Sequence, residues 1–350
     1  MTAIDWGASM FRTALTADSA RPDGGTIFGN LGLGRLDDAG IPWHVLARYL
    51  DPIPPEDLNG VAAVLSLGHI TFDAETVAAA DDLELIARFG AGYETIDVEA
   101  CTHAGVAVTN TSGAIRRPLA LASLTMLLAV GHKLRMKDHI TRTGRWDERE
   151  DFRGAAFDGK TVGIVGFGSV GSELAKLLAP LGMTVLGTNR SGHSRAADAL
   201  GVRMVELDDL LRQSDYVVVT ASLNASSRHL VDAGKLALMK QSAFIVNMGR
   251  GALIDQEALR TALRDGKISG AGLDVFDPEP IAADDELLSF DNVTLAPHSL
   301  NWTDDFTRAV SSSALGAIIE VAHGRRPETT LNPEVFDTEA FRAKQRRRLD

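Results

Sequence analysis

Three side chains in the C-terminal half have the types and placement to move hydride and a proton at a carbon that bears oxygen: Arg250, Glu279 and His298. Each comes just after a short, mainly apolar run. Val246-Asn247 precedes Arg250, Asp274-Val-Phe precedes Glu279, and Leu295-Ala-Pro297 precedes His298. Open α/β sheets bind ligands beyond the C-terminal ends of their strands, so three successive strand ends would bring these groups to one crevice. Reduction of a 2-keto acid needs a cation to hold and polarise the substrate and a donor for the proton that completes the hydroxyl. Arg250 offers the planar fork and His298 the proton. A neighbouring carboxylate favours the imidazolium form and orients the ring, which is the part Glu279 can play. Singly, each has a plainer reading: a solvated turn arginine, an exposed glutamate between prolines, a structural histidine.

The combination becomes specific through Gly166-Phe-Gly168-Ser169-Val170-Gly171, which follows a predicted strand and opens a predicted helix. The first glycine permits the tight turn, the second lets backbone approach a pyrophosphate, and the third lets helix and strand pack closely. The helix N-terminus supplies free N–H groups to the phosphates. A glycine-rich turn without a ligand is the alternative. At the end of the next strand, where NAD-specific sites offer Asp or Glu to the ribose hydroxyls, the chain reads Gly187-Thr-Asn189-Arg190-Ser191-Gly-His-Ser-Arg195. A carboxylate would repel a 2′-phosphate, whereas Arg190, with Ser191 and Arg195, can bind one through charge-assisted hydrogen bonds. NADP(H) is therefore the expected cofactor. NAD(H), with Asn189 on an unphosphorylated ribose and Arg190 merely exposed, is the alternative.

Three segments together resemble the signature of the D-isomer-specific 2-hydroxyacid dehydrogenases, among them glyoxylate/hydroxypyruvate reductases and phosphoglycerate dehydrogenase. They are Asn247-Met-Gly-Arg250-Gly-Ala-Leu-Ile-Asp255-Gln-Glu-Ala-Leu259, Gly272-Leu-Asp-Val-Phe-Asp-Pro-Glu279-Pro280 and Asn292-Val-Thr-Leu-Ala-Pro-His298. Upstream, Gly90-Ala91-Gly92-Tyr93-Glu-Thr-Ile-Asp97 is similar to the family loop whose backbone amides bind the substrate carboxylate. The resemblance covers residues 60–333. It implies Arg250 as substrate anchor, His298 as general acid/base, Glu279 as its partner, and Gly90, Ala91 and Gly92 facing the substrate. It also suggests that Asp274 contacts the nicotinamide carboxamide, against a plainer reading as a buried structural carboxylate. The family fold implies a cofactor domain inserted into the substrate domain, whose closure excludes water. It further implies a homodimer built on residues 117–155. Departures stand at Ala120, where the family usually has an acid, at Ser222, where it usually has proline, and at Ser299-Leu-Asn-Trp302-Thr303, where small residues are typical. They bear on the substrate subgroup more than on the chemistry. Trp302 either lines the pocket or packs at the hinge.

The elements that must carry these groups follow an α/β pattern. In the first part Val61–Leu65 and Leu83–Phe89 are apolar runs separated by a helical stretch near 75–80, and Val106–Thr109 leads into the loop Asn110–Gly113. Arg116-Arg-Pro118 can open a helix. From Lys160 strands are expected at 161–165, 184–187, 216–219, 244–246, 270–275 and 293–295, with a helix from Ser172 to Leu181. That order predicts a doubly wound parallel-sheet Rossmann cofactor domain inserted into a smaller flavodoxin-like α/β substrate domain. The expected boundaries are 1–113 and 303–350 for the substrate domain, with a helix at 303–322, and 114–302 for the cofactor domain. The basic tail Arg342–Arg348 reads as a solvated helix end.

With 350 residues, two domains are the better expectation. A formal charge of −12 disfavours nucleic acid and anionic membranes as partners. Cys101 is the only cysteine, so no intrachain disulfide or cysteine zinc site is available, and no metal is expected. Asp5, Arg12 and Asp18 interrupt what would otherwise be a secretory leader, and Leu119–Val130 is too short to span a bilayer. A cytoplasmic location is the resulting expectation. Two other function classes stay open: a nucleotide-sensing co-regulator on a dehydrogenase fold, and an oxidoreductase with a non-carboxylate substrate such as phosphite.

Overall fold

The computed structural model describes residues 10–21, 25–68 and 70–349. Asp5 lies outside them. The chain divides into two compact units, one made of Met1–Ile115 and Trp302–Asp350, the other of Arg116–Asn301. The sequence reading put these breaks at 113/114 and 302/303.

The first unit has five parallel strands: β1 (Thr13–Leu15), β2 (Trp43–Val45), β3 (Ala63–Ser66), β4 (Leu85–Arg88) and β5 (Ala107–Thr109). Their order is β2-β1-β3-β4-β5, the flavodoxin-like arrangement. β1, β3, β4 and β5 are buried throughout, as strands covered on both faces by helices must be. Ala14, Val64, Ile86 and Val108 meet Phe72, Leu83, Val77 and Cys101 in one core. Burial raises the Cys101 thiol to about 12, so it acts as a small hydrophobe rather than a nucleophile. The helix Asp304–Ala322 belongs to this unit and is capped by Thr303, whose hydroxyl accepts the N–H of Phe306.

The C-terminal helix Glu339–Leu349 corrects the reading of a solvated tail. Lys344 is 8% exposed and donates to the carbonyls of Ala80 and Leu83 at 3.0 and 2.9 Å. Arg348 pairs with the buried carboxylate of Glu84 at 2.7 Å and lies over the ring of Phe11. The polar faces of these residues are matched by partners more than two hundred positions away, which periodicity cannot register.

The second unit has seven parallel strands: β6 (Thr161–Val165), β7 (Thr184–Thr188), β8 (Arg203–Met204), β9 (Tyr216–Val219), β10 (Phe244–Asn247), β11 (Gly270–Leu273) and β12 (Val293–Leu295). The order β12-β11-β10-β9-β6-β7-β8 is doubly wound, with the reversal between β6 and β9. The helix Arg116–Gly131 covers one face, burying Ala120, Met126, Leu127 and Val130 against Ile164, Val218 and Val246. A side chain at Gly272 would lie 2.5 Å from Met126, so glycine is what lets this helix lie close on β11. The opposite face buries Leu210, Val217, Ile245, Leu259 and Ala271. Among the described residues no single helix is long and apolar enough to cross a membrane.

Candidate active site

The glycine turn that could hold a dinucleotide follows β6 in the second unit. Gly166 has φ +91°, and a Cβ there would stand 2.4 Å from the backbone of Ala221, so no other residue fits. Its N–H is held by Thr188 O at 2.9 Å, and its carbonyl accepts Thr220 Oγ1 at 3.1 Å. Gly168 is the N-cap of the helix Ser169–Leu178 and has no side chain with which to cap it. A Cβ at Gly168 would meet nothing closer than 3.9 Å, which leaves open space above the turn. A Cβ at Gly171 would lie 3.0 Å from Ile164, which accounts for close helix–strand packing. The first-turn amides of Ser169, Val170 and Gly171 thus have no side-chain cap and border an open cradle, the donor set a dinucleotide pyrophosphate requires.

Past β7, Asn189 folds the chain into a compact turn. Its Nδ2 donates to Phe167 O at 3.3 Å and His193 O at 3.0 Å, while Ser191 Oγ donates to Asn189 Oδ1 at 3.1 Å. Arg190 is exposed at the tip of this turn. Asn189 and Ser191 therefore shape the turn, and Arg190 carries its positive charge outward.

Arg250, Glu279 and His298 follow β10, β11 and β12, three adjacent strands of one sheet. Asn247, buried at the end of β10, ties the turn from both sides: its Nδ2 donates to Arg250 O at 2.9 Å and its Oδ1 accepts the N–H of Gly249 at 3.1 Å. Arg250 is half-buried, with Nη1 bonded to Gly249 O at 2.8 Å. A Cβ at Gly251 would fall 1.9 Å from the Phe276 backbone, so glycine lets the β10 and β11 turns meet.

Glu279 and His298 are joined directly. Glu279 Oε2 lies 2.7 Å from His298 Nδ1, and Oε1 accepts the N–H of Phe276 at 2.9 Å. Both side chains are about one-third exposed, at 33% and 31%. With Nδ1 engaged by the carboxylate, Nε2 is the ring nitrogen left to exchange a proton with a substrate. His298 has φ +53°, an unusual conformation for a side-chain-bearing residue. The next two residues are fixed by Asp274, which is 2% exposed and accepts the N–H groups of Ser299 and Leu300 at 3.0 and 3.2 Å. Burial pushes the Asp274 carboxyl above the usual range, and the two backbone bonds and the His298 charge oppose that. This holding role accords with the plainer reading of Asp274 as a buried structural carboxylate, whereas that of Asn247 had no sequence signal.

In the first unit, Gly90, Ala91 and Gly92 follow β4. Gly90 has φ +137° and gives its N–H to Thr111 Oγ1 at 2.9 Å, so of the three only Ala91 and Gly92 have amides to offer a ligand. Trp302 packs edge-on against Phe28 at 4.8 Å and is 43% exposed, and Phe28 in turn contacts Phe89. Of the departures in the second unit, Ala120 is fully buried, and Ser222 O accepts the Ser227 hydroxyl at 2.8 Å.

The family model for the D-isomer specific 2-hydroxyacid dehydrogenase NAD binding domain matches residues 124–299. A glyoxylate reductase of Thermococcus kodakarensis is 37% identical over 301 residues, covering 84% of this chain and 88% of that protein. One from Aeropyrum pernix is 35% identical over 310 residues, covering 83% and 92%. The crystal structure of a glyoxylate reductase from Paecilomyes thermophila superposes with a TM-score of 0.79 at 28% identity, covering 92% of this chain and 98% of that one. The matched domain, and an identity above one third over more than four-fifths of both chains, show that the chain belongs to the D-isomer specific 2-hydroxyacid dehydrogenases, NAD(P)-dependent oxidoreductases that interconvert 2-keto and 2-hydroxy acids.

Proposed function

We propose that the protein reduces a small polar 2-keto acid of the glyoxylate or hydroxypyruvate kind to the D-2-hydroxy acid, with NADPH preferred over NADH. The observation that carries the reading is the 2.7 Å contact between His298 Nδ1 and Glu279 Oε2. A module that only senses nucleotide has no use for an oriented imidazole–carboxylate pair.

In this account Arg250 binds the substrate's anionic and carbonyl oxygens and draws electron density from the carbon under attack. The nicotinamide, when bound, supplies the hydride. His298 Nε2 gives its proton to the carbonyl oxygen as the C–H bond forms, and Glu279 steadies the charge on the ring before that transfer. In the oxidative direction His298 takes the proton back. Asp274 contributes by fixing the loop that carries His298; in the first unit, the Ala91 and Gly92 amides are donors suited to a carboxylate.

The NADPH preference is supported by the run 187–195, which holds no carboxylate, and by the outward charge of Arg190. A second copy of the chain as partner is supported by exposed apolar groups on the segment that the family uses for dimers: Leu121, Leu134 and Trp146 are 41%, 57% and 62% exposed.

The test is His298→Ala beside Glu279→Gln. Loss of the proton donor lowers kcat by about a thousandfold with the NADPH dissociation constant unchanged, and loss of the partner's charge lowers kcat by roughly tenfold to a hundredfold. Turnover of His298→Ala near that of the wild type would refute the assignment.

A further inference from the structure

The carbonyls of the turn after β4 all point into the protein. Phe89 O and Gly92 O accept from the guanidinium of Arg88, the second from Nε at 2.9 Å. Gly90 O accepts the N–H of Thr111 at 2.9 Å, and Ala91 O accepts Asn110 Nδ2 at 3.0 Å. These peptides are trans. A trans peptide holds its C=O and N–H on opposite sides, so anchoring the carbonyls of Gly90, Ala91 and Gly92 turns the N–H groups of Ala91, Gly92 and Tyr93 outward. None of those three N–H groups has an acceptor among the described residues. The N–H of Gly90, bound to Thr111, is excluded from the set.

Arg88 is only 7% exposed, and its guanidinium lies directly under Gly90, where a Cβ would be 3.4 Å from Nη1. A buried cation is costly unless it serves several acceptors. Here it also reaches Ser66 O and Leu67 O at 3.4 and 3.5 Å. Consecutive outward N–H groups form an anion-binding concavity, and a positive charge beneath them in a poorly screened interior adds to their pull.

We propose that Arg88 and Asn110 are positioning residues that clamp the inward carbonyls and thereby present the Ala91, Gly92 and Tyr93 amides as a three-donor seat for the substrate carboxylate. The proposal rests on the 2-keto acid reading for the identity of the anion, and on the first unit alone for the clamp.

Two readouts separate the clamp from that reading. The first is steady-state kinetics at saturating NADPH with the best 2-keto acid, and with oxamate as competing carboxylate, for wild type, Arg88→Met, Arg88→Lys and Asn110→Ala. Arg88→Met raises KM and the oxamate inhibition constant by about tenfold or more while kcat stays within about threefold. Arg88→Lys, which keeps the charge but not the fork, falls between, and Asn110→Ala moves KM the same way by a smaller factor. An unchanged KM in folded Arg88→Lys and Asn110→Ala proteins overturns the proposal. The second readout needs no turnover: the amides of Gly90 and Thr111 exchange slowly with deuterium in the wild type and faster in the Arg88 variants. If the wild type turns over no keto acid, the functional reading falls while exchange still decides the clamp. Unprotected amides in the wild type, or equal protection in the variants, refute it.

Discussion

Asp274 takes the backbone N–H of Ser299 at 3.0 Å, and through that bond a buried carboxylate at the end of β11 fixes the loop that carries His298 after β12. A left-handed backbone at His298 persists only if its surroundings enforce it. Asp274→Ala strands two N–H groups and is expected to cost about 2 kcal/mol of stability and to lower kcat more than it raises KM. Asp274→Asn keeps an acceptor and costs less. Because burial raises the Asp274 carboxyl in the folded state, its contribution is fully present below the unfolded value and is lost as pH rises through the raised one. Asn cannot titrate, so Asp274→Asn should gain stability relative to wild type as pH rises from below the ordinary carboxylate range to above it. Urea unfolding at both pH values measures it, and parallel pH profiles would contradict the account.

Arg190 sets cofactor choice if the turn after β7 meets a 2′-phosphate. Arg190→Ala should raise the KM for NADPH by about tenfold to a hundredfold, the worth of a charge-assisted hydrogen bond, and leave the KM for NADH within about twofold. Asn189→Asp, which places a carboxylate at the ribose, should shift preference toward NADH. Equal effects on both cofactors would assign these residues to the turn alone.

Leu134 and Trp146 are the most exposed large apolar side chains of the second unit, at 57% and 62%. Burial of both against a second copy predicts that wild type sediments as a dimer and that Leu134→Glu with Trp146→Glu sediments as a monomer. A wild type that is monomeric at micromolar concentration would remove the partner from the account.

Much of the second unit is legible in the sequence because its strands are continuous apolar runs with glycines at fixed places. Thr161–Val165 followed by Gly166-Phe-Gly168 identifies a strand, a turn and a helix start together. The strands β1 and β2 gave no such signal: Thr13–Leu15 and Trp43–Val45 have only three residues each and gain their stability from parallel pairing. The pairing of Glu279 with His298 followed from residue types, since a carboxylate and an imidazole at neighbouring strand ends have an evident joint use. The restraints imposed by Asn247, Arg88 and Asn110 did not, since their partners are mainly backbone groups. Lys344 was misjudged for a similar reason, its charge being satisfied by carbonyls across the fold.

Lys344 gives a prediction with a definite sign. Burial lowers its ammonium from 10.5 to about 8. The folded protein therefore releases this proton earlier than the unfolded chain, and stability gains from it as pH rises from about 8 toward 10.5. The wild type should gain about 3 kcal/mol over Lys344→Met across that window, read by urea unfolding. A constant difference between the two proteins would contradict it.

The central claim is most directly tested by the loss of NADPH absorbance when purified protein meets glyoxylate, hydroxypyruvate and larger 2-keto acids, run in parallel with NADH. The account predicts rapid oxidation with a small polar keto acid, faster with NADPH than with NADH, with the D-hydroxy acid as product. Measurable NADPH binding without turnover of any keto acid would contradict it.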